Sequence, residues 1–226
     1  MLCEYLQYSD TNGMLITVPH TRTAPTRAER KARTREQLVE AADRLFKRDG
    51  FHATSVDAVA DEAGYTKGAV YSNFASKEEL FFAVYERRLD ERVEQLDRIG
   101  AGAASAADSL RAAVETAGRR SEDGWMAVFF EFWAHVLRHP EHRERFAVLH
   151  RRGLEPFVRA VEAFAREQDA EPPLPPELLA TAHLALGNGL QLERLTRPDE
   201  IDMEAFQRVM WFLARAAAPL EEEASR

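Results

Sequence analysis

The run Ala63-Gly64-Tyr65-Thr66-Lys67-Gly68-Ala69-Val70-Tyr71-Ser72-Asn73-Phe74-Ala75-Ser76-Lys77-Glu78-Glu79-Leu80 decides how the rest of the chain is read. Gly64 lets the backbone reverse within a few residues, in a left-handed conformation that glycine reaches without steric cost. Thr66 is a good N-cap for a short helix over about Lys67–Phe74. Ser76 with Glu79 forms a Ser-x-x-Glu capping box that starts another helix, carried to about Arg98 by Leu80, Phe81, Val84, Leu89, Val93 and Leu96. Working upstream, Thr54 is expected to cap a helix whose buried face is Val56, Val59, Ala60 and Ala63, with Thr54 and Asp57 approximating a second box. Before it, Leu38, Ala41, Ala42, Leu45 and Phe46 recur at spacings of three and four, an amphipathic helix that ends at Asp49-Gly50. Two short helices joined by a tight turn and packed on a preceding one make a helix-turn-helix.

The exposed residue types of that segment suit a nucleic-acid duplex. The turn aims the second helix outward, toward a major groove about 12 Å wide. Thr66, Lys67, Tyr71 and Lys77 can reach phosphates, Ser72 and Asn73 can hydrogen-bond phosphates or base edges, and Gly68 takes away bulk that would hold the backbone off the DNA. Phe74 reads as core and Ser76 as a cap.

These residues resemble the signature of the tetracycline-repressor (TetR) family. The upstream Ala41-Ala42, Leu45-Phe46, Gly50-Phe51 and Thr54-Ser55-Val56 match as well, so that the resemblance covers about residues 32–90. It implies an all-α protein of nine helices, three for DNA and six for ligand binding and dimerisation. By position it places operator contacts on Thr54, Ser55, Thr66, Lys67, Gly68, Tyr71, Asn73 and Lys77. Many members carry an aromatic or histidine where this chain has Ser72 and Asn73, so the smaller pair implies different base preferences. The division that follows is a disordered basic leader over 1–31, the DNA-binding domain over 32–90 and a helical ligand-binding and dimerisation domain over 91–226.

Charge is divided in the same way. The 226 residues carry a net charge of -8. Residues 21–77 hold seven arginines, all four lysines of the chain and eight acidic residues, a net of +3 that leaves -11 for the rest. A basic head on an acidic body fits a protein that touches phosphate at one end. Arg22, Arg27, Arg30, Lys31 and Arg33 read as a flexible arm, with no strand and no internal repeat anywhere, and Met14 is a possible alternative start. Cys3 is the single cysteine, which leaves no intrachain disulfide and suits a reducing, cytoplasmic setting. No run reaches the roughly 18 apolar residues of a membrane span. An HExxH site, a serine nucleophile elbow, a P-loop and a dinucleotide fingerprint are all missing from the sequence, so an enzyme is not expected and no cofactor is called for.

The second half shows helical patterns over about 106–119, 122–138, 141–168, 176–195 and 202–217, with a proline-rich linker at Glu171–Pro176. Trp125, Phe129, Phe130, Phe132 and Trp133 crowd one helix, mostly as core. By the resemblance, a small-molecule effector is expected in a chamber lined by some of Phe129, Trp133, Phe146, His150 and Phe157. Glu131 and His135 are one turn apart with His139 and His142 following, but the set does not share one helical face and is read as polar residues without a metal. The last two helices are apolar on more than one side. Leu184, Gly187, Leu190, Phe206, Met210 and Leu213 are expected at a two-fold homodimer interface, which in turn requires a palindromic operator.

Overall fold

The computed structural model describes residues 4–9, 15–20, 24, 26–118, 124–172 and 174–216, with side chains from residue 24 to 212 except 110, 113, 114, 117 and 118. It divides into two compact units, Met1–Gln37 and Leu38–Arg226.

In the first unit, strands β1 (Glu4–Ser9) and β2 (Leu15–His20) pair antiparallel from Glu4 opposite His20 to Ser9 opposite Leu15. This corrects the expectation of a structureless leader without strands. β-branched Ile16, Thr17 and Val18 favour extended backbone, and Asn12-Gly13 between the two runs is a strong hairpin signal. Asn12, Gly13 and Met14 themselves lie outside the described residues. The arm also gives way to helix α1 (Arg27–Ala53), which begins well before Leu38, the first residue of the apolar period. Its start is a capping box: Thr26 Oγ1 accepts from Glu29 N–H (3.1 Å), and Glu29 Oε2 accepts from Thr26 N–H (2.6 Å). Arg27, Arg30, Lys31 and Arg33 are exposed on the first turns of this helix.

The second unit is helical. After α1 come α2 (Val56–Ala63), α3 (Lys67–Tyr71), α4 (Lys77–Gly102), α5 (Ala106–Gly118), α6 (Trp125–Arg138), a 3₁₀ turn (Pro140–His142), α7 (Arg143–Glu167), α8 (Pro176–Thr196) and α9 (Met203–Ala216), nine α-helices among the described residues. α4 runs on through Gly100 to Gly102, past the expected end near Arg98. The acidic tail 221–226 lies outside the described residues.

One apolar core joins α1 to α4 with α6 and the start of α7. Phe81 stacks on Phe132 with ring centroids 3.8 Å apart, Phe51 meets Phe132 edge-on at 4.9 Å, and Trp125 lies parallel to Phe81 at 5.4 Å. Buried Asp43 of α1 accepts from Arg88 of α4 at 2.5 and 3.0 Å, and Arg88 covers the Trp125 ring. α4 and α7 run side by side in parallel. Arg145 meets Glu79 and Glu86, Arg152 meets Asp90, and Arg159 meets Asp97, a ladder repeating every seven residues, or about two turns. A second, smaller core gathers Ala160, Phe206 and Met210 with Phe157, Leu190, Met203 and Trp211.

Candidate functional site

The head is built from α2 and α3. Gly64 ends α2 with φ 72°, and Ser55 and Thr66 start the two helices, each hydroxyl oxygen accepting a backbone N–H, from Ala58 (3.1 Å) and Ala69 (3.2 Å). A hydroxyl that accepts still has its own O–H to give, so both residues can donate outward. Val70 and Phe74 are buried and anchor α3. Its other side leaves Thr66, Lys67, Gly68 and Ser72 exposed and Tyr71 half exposed. Lys67 reaches Asp57 at 2.8 Å and ties the two outer faces together. A Cβ on Gly68 would touch only Thr66 Oγ1, at 3.8 Å. Among the described residues nothing demands glycine there.

Behind the head is a cavity of about 460 Å³, within the range of small-molecule sites. Its wall takes Arg92, Leu96 and Gly100 from the distal half of α4, Gly153, Phe157 and Ala163 from α7, Ala180, His183, Leu184, Gly187, Asn188 and Gln191 from α8, and Phe206 and Met210 from α9. His183 stacks on Phe157 at 4.1 Å. Burial, reinforced by the Arg92 charge, pushes its pKa down to about 4, so the ring is neutral at pH 7. His183 Nε2 and Asn188 Nδ2 are buried and have no hydrogen-bond partner among the described residues. The walls thus offer apolar surface with a few polar atoms left to be satisfied by whatever enters.

Residues 38–84 match the family described as bacterial regulatory proteins, tetR family, and residues 106–218 match the C-terminal region of BetI-type transcriptional repressors. The chain is 30% identical over 169 residues to the uncharacterized HTH-type transcriptional regulator YfiR of Bacillus subtilis (strain 168), spanning 72% of this chain and 80% of that protein. The chain belongs to the TetR family. The crystal structure of a TetR-family regulator from Rhodococcus sp. has the same fold, with a TM-score of 0.72 at 19% identity over 83% of this chain and all of that one. So does FadR from Bacillus subtilis, crystallised with stearoyl-CoA, with a TM-score of 0.62 at 14% identity over 81% of this chain and 99% of that one. This is therefore a TetR-family transcriptional regulator with an N-terminal helix-turn-helix and a helical C-terminal region.

Among the positions carried over from the TetR signature, the structure separates those that face outward from those that do not. Ser55, Thr66, Lys67, Gly68 and Tyr71 lie on the exposed side. Thr54 is 2% exposed, and its hydroxyl donates to Gly50 O at 2.7 Å. It finishes α1, and the cap of α2 is Ser55. Lys77 gives its ammonium to the carbonyls of Phe51 (2.9 Å), His52 (3.2 Å) and Thr54 (3.2 Å) and sits 4.5 Å above the Phe51 ring. All three of its N–H donors are engaged there, so it closes the C-terminal end of α1 and has none left for phosphate. Asn73 turns its amide N–H back to Ala69 O at 2.8 Å and ends α3.

The residues expected to line an effector chamber fall mostly elsewhere than this cavity. Of those five residues only Phe157 lines it. Phe129 and Phe146 are buried in the main core, with Trp133 edge-on to Phe129 and His150 stacked on Phe146. His183 and Asn188 were missed; the signal for them is two polar residues inside the apolar run of α8. Of the residues expected at a dimer face, Leu184, Gly187, Phe206 and Met210 line the cavity, and Leu190 packs on the second core. Gly187 gives close approach, but to Met210 of the same chain: a Cβ there would lie 3.2 Å from Met210 Cε. The Leu213 side chain is outside the described set. The apolar side chains left exposed on these helices are Leu178, Leu186, Leu192 and Leu195 of α8 and Val209 and Phe212 of α9.

Glu131, paired in sequence with His135, accepts from the backbone N–H groups of Phe51 (2.7 Å) and His52 (2.8 Å). Gly50 makes room for it: its φ is 85°, and a Cβ there would lie 2.8 Å from Glu131 Oε2. Burial and the nearby His139 hold the pKa of His135 below the ordinary imidazole value.

Proposed function

We propose that this regulator is a homodimeric repressor that binds a palindromic operator through α3 and releases it when a small molecule occupies the cavity. The observation that carries the reading is that α4 serves both ends. Its first turn follows directly on α3 and caps the end of α1 through Lys77, and its distal half supplies Arg92, Leu96 and Gly100 to the cavity wall. A ligand that prefers one setting of α4 therefore prefers one setting of the recognition helices, and a coupling of about 1–3 kcal/mol changes operator affinity about 5–150-fold. Repression is favoured by the match of residues 106–218 to BetI-type repressors, and a small-molecule effector by the stearoyl-CoA held in the FadR neighbour. Dimerisation is favoured by exposed Leu186, Val209 and Phe212, which a second copy would cover. The acyl chain or headgroup of FadR's ligand is not carried over; the cavity itself asks for a mainly apolar molecule with polar atoms opposite His183 and Asn188.

Fluorescence anisotropy on the DNA flanking its own gene, at two salt concentrations and beside Tyr71→Ala, tests the DNA half of the proposal. Tight, salt-sensitive binding to one palindromic stretch, lost in the variant, is expected. Equal, weak binding to every sequence would contradict it.

A further inference from the structure

The junction between the head and the rest of the second unit holds a group of ligand atoms that the regulator's reading does not use. Glu78 lies in the first turn of α4, His135 on α6, and His142 in the 3₁₀ turn between α6 and α7. One carboxylate oxygen and one ring nitrogen from each histidine all lie within 4.8 Å of one another. His135 Nε2 stands 3.8 Å from Glu78 Oε1, is buried, and has no hydrogen-bond partner among the described residues. His139 stacks over His135 at 4.0 Å, and the rings of His135 and His142 lie nearly parallel at 5.9 Å. A divalent ion among them would take one lone pair from each of the two ligand rings and one from the carboxylate.

We infer that Glu78, His135 and His142 form a site for one divalent transition-metal ion of the zinc class. The donor set is two imidazoles and one carboxylate, which suits zinc and its nitrogen-seeking neighbours and not magnesium or calcium, which take oxygen. Metal–ligand bonds of about 2.0–2.2 Å place tetrahedral donors about 3.4 Å apart, so side-chain adjustments of roughly 1 Å close the site. Three ligands leave a fourth position for water or for His139. The backing is apolar, with Phe51 and Phe132 within 5.7 Å of the His135 ring, which limits competition from solvent. An ion here fastens the first turn of α4, next to Lys77 and the end of α1, to the corner between α6 and α7. Sequence spacing hides the site, because Glu78 comes from a helix 57 residues ahead of His135, while the nearer Glu131 is committed to the backbone of Phe51 and His52.

The test is a titration of full-length, tag-free protein with zinc chloride at pH 7.5, against magnesium chloride, read by competition with a chelating dye and by thermal melting. One equivalent of zinc bound, no magnesium bound, and a melting temperature that rises with zinc are expected. His142→Gln and Glu78→Gln should each weaken zinc at least tenfold, with His150→Gln unchanged. Cobalt should give visible absorption bands that His142→Gln removes. Should His135→Gln fail to fold, the other two variants, on partly exposed residues, still decide the matter. No stoichiometric zinc, or zinc binding of equal strength in His142→Gln and Glu78→Gln, would overturn the site.

Discussion

A residue's role was legible in the sequence where it depends on its immediate neighbours. Thr66 and Ser76 cap the helices that follow them because an N-cap needs only the next three residues. Thr54 and Lys77 were misread because their partners, the last carbonyls of α1, are brought to them by tertiary packing. Gly68 separates folding from function at a single position. Alanine there meets no clash and has the higher helix propensity, so Gly68→Ala should hold or slightly raise the melting temperature, yet weaken operator binding at least tenfold. Thermal melting beside an anisotropy titration checks it, and a variant binding DNA as well as the parent would end the clearance argument. His183 carries a pH dependence. Its folded pKa, about 4, lies below its unfolded value, about 6.5, so the unfolded chain binds the proton first as pH falls. Its contribution to stability is whole above pH 6.5 and is lost as pH falls toward 4, a difference of about 2–3 kcal/mol at most. Urea unfolding at pH 7.5 and 4.5 should show His183→Gln losing less stability over that interval than the parent.

At the scale of elements, the helices were readable because each buries one apolar stripe, and the 3.6-residue period reports that stripe directly. The strand pair is hard to read in the sequence because six-residue strands give little period. The start of α1 was missed because its first turns are exposed and polar, and only the Thr26–Glu29 box announces them. Lys77 shows how one element is fixed to another. Lys77→Met removes three hydrogen bonds to carbonyls at the end of α1 and should lower stability by about 1–3 kcal/mol, measured by chemical denaturation. An unchanged unfolding midpoint with lost DNA binding would instead return Lys77 to the phosphate-contacting set. The ion-pair ladder between α4 and α7 is half exposed, so each pair contributes at most about 1 kcal/mol; it sets the register of two parallel helices more than their stability.

For the whole molecule, the nine-helix plan was legible, and which way its last helices face was not. α8 and α9 are apolar on two sides, and no period can say which side meets the protein's own cavity and which meets a partner. The inward side holds Leu184, Gly187, Phe206 and Met210, so in the proposed homodimer the outward side, with Leu186, Val209 and 70%-exposed Phe212, is the one left for a second copy. Phe212→Glu should convert the dimer to monomer in sedimentation without lowering the melting temperature of the subunit, and should weaken operator binding with it, since each half-site then binds alone. The central claim is that cavity and head share one equilibrium through α4. Its most direct measurement takes a compound that raises the melting temperature of the parent but not of the cavity-filled Ala163→Trp, and titrates the operator with and without it. The account predicts operator affinity about 5–150-fold weaker with the compound in the parent and unchanged in Ala163→Trp. A compound that binds the cavity and leaves operator affinity untouched in both would contradict it.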